Sequence, residues 1–139
     1  MQTYDLMVKA YRRDEDSRPA SLTASDVTFT SSADNLYSQI LFNGYVYGNT
    51  TYPSGGTLDN CRFENLSIYF NDNSTTTISN STASYAGGEG DFIHADNAGT
   101  PTITSNTISG YDHAFVISDD ALPVLTGNDI SGCNYDVVC

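Results

Sequence analysis

The sequence predicts an all-β, single-domain solenoid of about five stacked coils, and three observations carry that prediction. A ten-residue phrase occurs twice, as PTITSNTISG at 101–110 and PVLTGNDISG at 123–132, 22 residues apart. β-Branched and turn-forming residues dominate, and no stretch shows the 3.6-residue apolar period of a helix. Short apolar markers recur along the rest of the chain at a similar step, the signature of a repeat architecture.

The first marker is the aliphatic centre of a three-residue strand: Leu22, Leu58, Ile78, Ile103 and Leu125. The second is an apolar burst: Ile40-Leu41-Phe42, Ile68-Tyr69-Phe70, Phe92-Ile93-His94, Phe115-Val116-Ile117 and Val137-Val138-Cys139. Most bursts run into Asn, Asp or Gly, so each unit reads strand, turn, strand, turn. The step from Leu22 to Leu58 is long because a Tyr/Gly-rich loop, about residues 43–56, is inserted there. Residues 1–19 are set apart as an N-terminal strand and charged linker, and 20–139 form the solenoid.

Units of this size cannot bury their apolar side alone, and stacking gives parallel sheets in which each coil pairs with its neighbours. The pattern Ile103–Asn106–Ile108–Gly110, repeated as Leu125–Asn128–Ile130–Gly132, resembles the degenerate repeat of the right-handed parallel β-helix family. Leu58–Phe63 and Ile78–Ala83 are weaker copies, so the resemblance covers about residues 20–139. It implies a right-handed parallel β-helix, and it does not fix an activity, because lyases, hydrolases, viral spikes and inert scaffolds share the fold.

Stacking turns the repeats into columns. Leu22, Leu58, Ile78, Ile103 and Leu125 are expected inward, with Ser and Thr flanking them outward. Asn106 and Asn128 are expected to form a structural amide ladder at the bend. In the second strand, Ile40, Ile68, Phe92, Phe115 and Val137 align inward, as do Phe42, Phe70, His94, Ile117 and Cys139. The column between them, Leu41, Tyr69, Ile93, Val116 and Val138, then faces outward. A strand apolar on both sides is normally covered on both sides, so this column is the expected interface of a homo-oligomer or with a neighbouring structural protein. The resemblance to β-helical spikes implies a trimer. The segment Tyr4–Tyr11 is the intrachain candidate for the cover, and is short for it.

Seventeen acids face five bases, for a net charge of −12, and beyond residue 18 Arg62 is the single base. Such a surface repels nucleic acid and anionic lipid. It suits divalent cations, a basic partner or a salty solvent that screens self-repulsion. The balance of one Lys against fourteen Asp points to a halophile-type setting. No apolar run is long enough for a spanning helix, and the first residues do not resemble a signal peptide. Cys61, Cys133 and Cys139 show no metal-ligand spacing and leave the redox compartment open. N-x-S/T sequons begin at Asn49, Asn65, Asn73 and Asn80, no more than chance gives in so Asn- and Ser/Thr-rich a chain.

Candidate chemistry is sparse. Were the protein an enzyme, its catalytic residues would come from Glu89, Asp91, Asp112 and His113, since carboxylates on adjacent coils can act as an acid/base pair. The lyases that the resemblance brings in add Lys or Arg to hold an anionic substrate, which this chain lacks. Asp96, Asp119 and Asp120 would be the oxygen ligands of a Ca²⁺ ion, and the residues call for no other cofactor. Tyr45, Tyr47 and Tyr52 of the inserted loop can stack on sugar rings. The leading expectation is a non-enzymatic β-helical module on a virion or cell surface. Two alternatives stand beside it: a carbohydrate-active enzyme using the stacked carboxylates, and ice binding by the outward Thr/Ser columns.

Overall fold

The computed structural model describes residues 5–9, 11–13, 16–18, 20–31, 38–87 and 89–139. Among them there are twenty strands and no helix. Each coil contributes three strands to three parallel sheets. The first sheet holds β4 (Ala20–Ser25), β9 (Ser54–Asp59), β12 (Thr77–Ser79), β15 (Thr102–Thr104) and β18 (Val124–Thr126). The second holds β5 (Thr28–Thr30), β10 (Arg62–Glu64), β13 (Thr82–Ser84), β16 (Thr107–Ser109) and β19 (Asp129–Ser131). The third is formed by β1 (Asp5–Lys9), β6 (Gln39–Asn43), β11 (Ser67–Asn71), β14 (Asp91–Ala95), β17 (His113–Ile117) and β20 (Tyr135–Val138). This is a single-domain parallel β-helix of five coils. Two antiparallel hairpins accompany it, β2 (Tyr11–Arg13) with β3 (Asp16–Arg18) and β7 (Tyr45–Tyr47) with β8 (Thr50–Tyr52).

The repeated phrase maps onto the first two strands and the bends around them. Its first bend takes two residues, and the first of these is left-handed in every coil: Asp26, Asn60, Asn80, Ser105 and Gly127, with φ between 50° and 66°. Asn, Asp and Gly are the residues that tolerate this conformation. In the last two coils the following residue is the asparagine that forms the ladder. The amide of Asn106 is 1% exposed; its Oδ1 accepts from the Ser81 N–H at 2.9 Å, and its Nδ2 donates to the Ile78 carbonyl at 3.1 Å. Asn128 repeats the pattern, accepting from the Asn106 N–H at 3.0 Å and donating to the Ile103 carbonyl at 2.9 Å. The left-handed residue is thus the one before the ladder asparagine. At the next bend Gly110 has φ 78°, and a Cβ there would lie 2.2 Å from the Tyr85 carbonyl oxygen, so only glycine closes the phrase.

Inside, Leu58, Ile78 and Ile103 are fully buried in one column and Leu125 continues it. Its N-terminal member is Ala24, not Leu22: Ala24 pairs with Leu58, and Leu22 pairs with Gly56. Both face inward, and a two-residue slip leaves the face unchanged. The backbones approach so closely at that step that a Cβ on residue 56 would lie 1.9 Å from the Leu22 oxygen. Aromatic rings fill the remaining core, with Phe42 on Phe70 at 5.2 Å and Phe29 on Phe63 at 5.6 Å, both stacked. Phe92 packs between Phe63 and Tyr111, whose hydroxyl donates to the Leu66 carbonyl at 2.7 Å.

The third sheet departs from the expected register by one residue. Ile68 pairs with Ile93, Tyr69 with His94 and Phe70 with Ala95. Phe92 and Ile93 are consecutive and both buried, at 1% each, so the strict alternation breaks where β14 begins. The same happens at Ala114 and Phe115. Ile93 therefore belongs to the inward column with Ile40, Ile68, Phe115 and Val137, and His94 to the outward one. The N-terminal segment also behaves otherwise than expected: β1 pairs edge-on with β6, extending the sheet without covering its face. Tyr4 and Ala10 lie outside the described residues.

Candidate functional site

The outer face of the third sheet carries two stripes. The middle stripe is Leu41, Tyr69, His94, Val116 and Val138, all half-buried, so four of the five residues expected at an interface stand there and His94 replaces Ile93. The Tyr69 ring stacks on the His94 imidazole at 4.8 Å and 11°. Burial, and then the charge of Asp91, raises the Tyr69 hydroxyl above its ordinary pKa.

The second stripe lies where the strands begin. Asp91, His113 and Tyr135 pair across β14, β17 and β20. His113 Nδ1 is 2.7 Å from Asp91 Oδ1 and 3.4 Å from Asp112 Oδ2, and the His113 ring stacks on Tyr135 at 5.2 Å and 20°. Asn134 Nδ2 donates to Asp112 Oδ1 at 2.7 Å, which holds that carboxylate beside the imidazole. His94 Nδ1 is 3.7 Å from the other oxygen of Asp91, so one carboxylate lies between two imidazoles. With Nδ1 turned to the carboxylates, Nε2 of His113 is left as the nitrogen able to meet a ligand. The fold thus brings together Asp91, Asp112 and His113. Glu89 is exposed and sits a step off this array, since the Asp112 N–H bonds the Gly90 carbonyl at 2.9 Å. Sequence reasoning passed over Tyr69, His94 and Tyr135 as members of the array. The signal was present: Asp91, His113 and Tyr135 are each 22 residues apart, the step of the repeated phrase.

The other candidates lie elsewhere. Tyr45, Tyr47 and Tyr52 belong to the β7–β8 hairpin, with Tyr45 opposite Tyr52 and their rings stacked at 6.2 Å. Tyr45 and Tyr47 are two apart on one strand, so the three tyrosines share one face of the ribbon. Tyr47 is 55% exposed. Asp96 and Asp119 meet at a turn, where a hydrogen bond and charge repulsion from Asp96, with a smaller contribution from Asp120, raise the Asp119 carboxyl above the usual range. Among the described residues, no three His, Cys, Asp or Glu side chains group as a metal ion would require. On the first sheet the Thr/Ser face is interrupted by Asp59, whose Oδ1 accepts from Ser79 Oγ and Asn80 Nδ2, both at 2.8 Å. Arg62 pairs with Glu64 on the second sheet at 2.7 Å.

Fold and site together define a parallel β-helix with a polar, ring-lined outer stripe on one sheet. The family model of the right-handed β-helix region matches residues 13–139, and the chain belongs to that family. No curated protein and no solved structure matches it.

Proposed function

We propose that this β-helix is a non-enzymatic surface module, a spike, fibre or turret component of a virion or a scaffold on a cell surface, that holds glycans and works in a high-salt environment. The observation that carries the reading is the Asp91–His113–Tyr135 array. It supplies an open aromatic ring beside fixed carboxylate, imidazole and amide groups, the combination that binds a sugar's apolar face and hydroxyls together. The tyrosine face of the hairpin offers a second platform of the same kind. Leu41, Val116 and Val138, on the neighbouring stripe, suit assembly with a second copy or a neighbouring structural protein, as a trimer by analogy with β-helical spikes.

Screening the protein on a glycan array in high salt tests the binding reading. Binding that weakens in Tyr135→Ala and Tyr47→Ala supports it, and silence across neutral, amino and acidic glycans overturns it. Light scattering in high salt tests assembly: a trimer that Val116→Asp converts to monomer is the expected result, and a monomeric wild type sinks the claim.

A second reading has one specific observation in its favour. Asp91 holds His113 by Nδ1, which is how a carboxylate orients an imidazole for general-base work. Turnover of a polysaccharide that is lost in both Asp91→Asn and His113→Gln would establish a carbohydrate-active enzyme instead.

A further inference from the structure

We propose that Asn49, at the tip of the β7–β8 hairpin, is an N-glycosylation site of the folded protein, and that the fold withholds the other three sequons. The proposal goes beyond the surface reading above, and its test on the purified chain does not depend on where the protein resides.

The four sequons are alike as sequence, and the structure separates them. The acceptor amide and the hydroxyl two residues on are recognised together, so three consecutive residues must leave the surface at once. In the coils the middle residue of the three is buried: Leu66 after Asn65, Ser74 after Asn73 and Ser81 after Asn80. Their neighbours are tied down as well. Asn65 donates from Nδ2 to the Ser31 carbonyl at 3.2 Å and accepts at Oδ1 from the Ala86 N–H at 2.9 Å. In the Asn73 sequon the Thr75 N–H donates to the Ser54 carbonyl at 2.8 Å. Asn80 Nδ2 donates to Asp59 at 2.8 Å, and the Ser81 N–H beside it is held by the buried Asn106 Oδ1 at 2.9 Å. Drawing out that tripeptide would open the asparagine ladder.

Asn49, Thr50 and Thr51 are all exposed. Gly48 and Asn49 form the two-residue loop between the paired Tyr47 and Thr50. Gly48 takes φ 59°, and a Cβ placed there would meet nothing within 4 Å, so the space around the tip is open. Freeing the tripeptide opens only the end of a two-stranded ribbon, a structure that is marginal by itself. The transfer joins Asn49 Nδ2 to the anomeric carbon of an oligosaccharide carried on a lipid diphosphate. The bond from that carbon to the diphosphate breaks, the lipid diphosphate leaves with the electron pair, and the amide proton passes to a base of the transferring enzyme.

The test incubates the purified full chain with an oligosaccharyltransferase and a lipid-diphosphate-linked oligosaccharide, read by intact mass and peptide mapping. The folded chain should gain one glycan, at Asn49, about tenfold faster than at any other sequon. Asn49→Gln and Thr51→Val should each abolish it, and Thr51→Ser should keep it. Ile103→Asp puts a charge in the filled core and serves as the unfolded control; it should also accept glycans at Asn65, Asn73 and Asn80. A folded chain left unmodified at Asn49, or modified as fast at any of the other three, overturns the proposal. An unfolded control that still accepts only at Asn49 overturns it too, because sequence and not fold would then make the choice.

Discussion

Asn106 and Asn128 are joined side chain to side chain, Nδ2 to Oδ1 at 3.1 Å, across adjacent coils. Each amide also binds backbone groups of the coil before it, so the pair ties three coils together. Removing the buried member strands donors and acceptors that water cannot reach, at about 1–3 kcal/mol for each group left unpaired. Asn106→Ala should lose about 2–4 kcal/mol in urea denaturation, and Asn128→Ala, at a half-buried position, clearly less. Equal losses at the two sites would refute the ladder as a buried device.

Ser105 occupies the left-handed position that Asn60, Asn80 and Gly127 fill in other coils, with φ 56°. A serine side chain fits that conformation less well than asparagine, and residues other than Gly, Asn and Asp incur about 1–2 kcal/mol there. Ser105→Asn should therefore stabilise the protein by about 0.5–1 kcal/mol in the same assay. A loss of stability would show that the hydroxyl makes up for the strain.

Two carboxylates should respond to pH in opposite senses. Asp119 has a raised folded pKa because Asp96 faces it, so its penalty is complete above that pKa and disappears as pH falls below the unfolded value. Asp119→Asn should raise Tm at neutral pH, by less in high salt, and by nothing in acid. Asp59 has a lowered folded pKa because Asn80 and Ser79 donate to it. Its stabilisation is present above the unfolded pKa and is lost as pH falls through the folded one. Thermal melts of Asp119→Asn and Asp59→Asn across the acid range check both signs, and parallel profiles would contradict the assignment.

Position along the stack should set the cost of core truncation. Ile103 is fully buried between Ile78 and Leu125, whereas Leu125 lies in the last coil and is only partly buried. Ile103→Ala should cost about 2–5 kcal/mol, and Leu125→Ala markedly less.

The coils were legible because a period of two and a fixed step both come from backbone geometry, which short β-branched segments follow closely. The ladder at Asn106 and Asn128 was legible for the same reason. The face of the third sheet was not, since Phe92 and Ile93 both turn inward, and tertiary packing against Phe63 and Tyr111 overrides the alternation. That one residue exchanged Ile93 for His94 on the outer face and so concealed the ring stack with Tyr69. The slip at Leu22 was invisible because both candidate residues point inward. Asp91, Asp112 and His113 could be nominated as ionisable neighbours, but their convergence with Tyr135 depends on that corrected register.

The 22-residue step between Asp91, His113 and Tyr135 has an evolutionary consequence. A whole coil, rather than a single residue, is the natural unit of variation in this molecule: duplicating 22 residues would add another layer to all three sheets at once. It would also place a new side chain beyond Tyr135, in line with the existing ones. The stripe of Asp91, His113 and Tyr135 could therefore lengthen or shorten by recombination without any change to the contacts already in place.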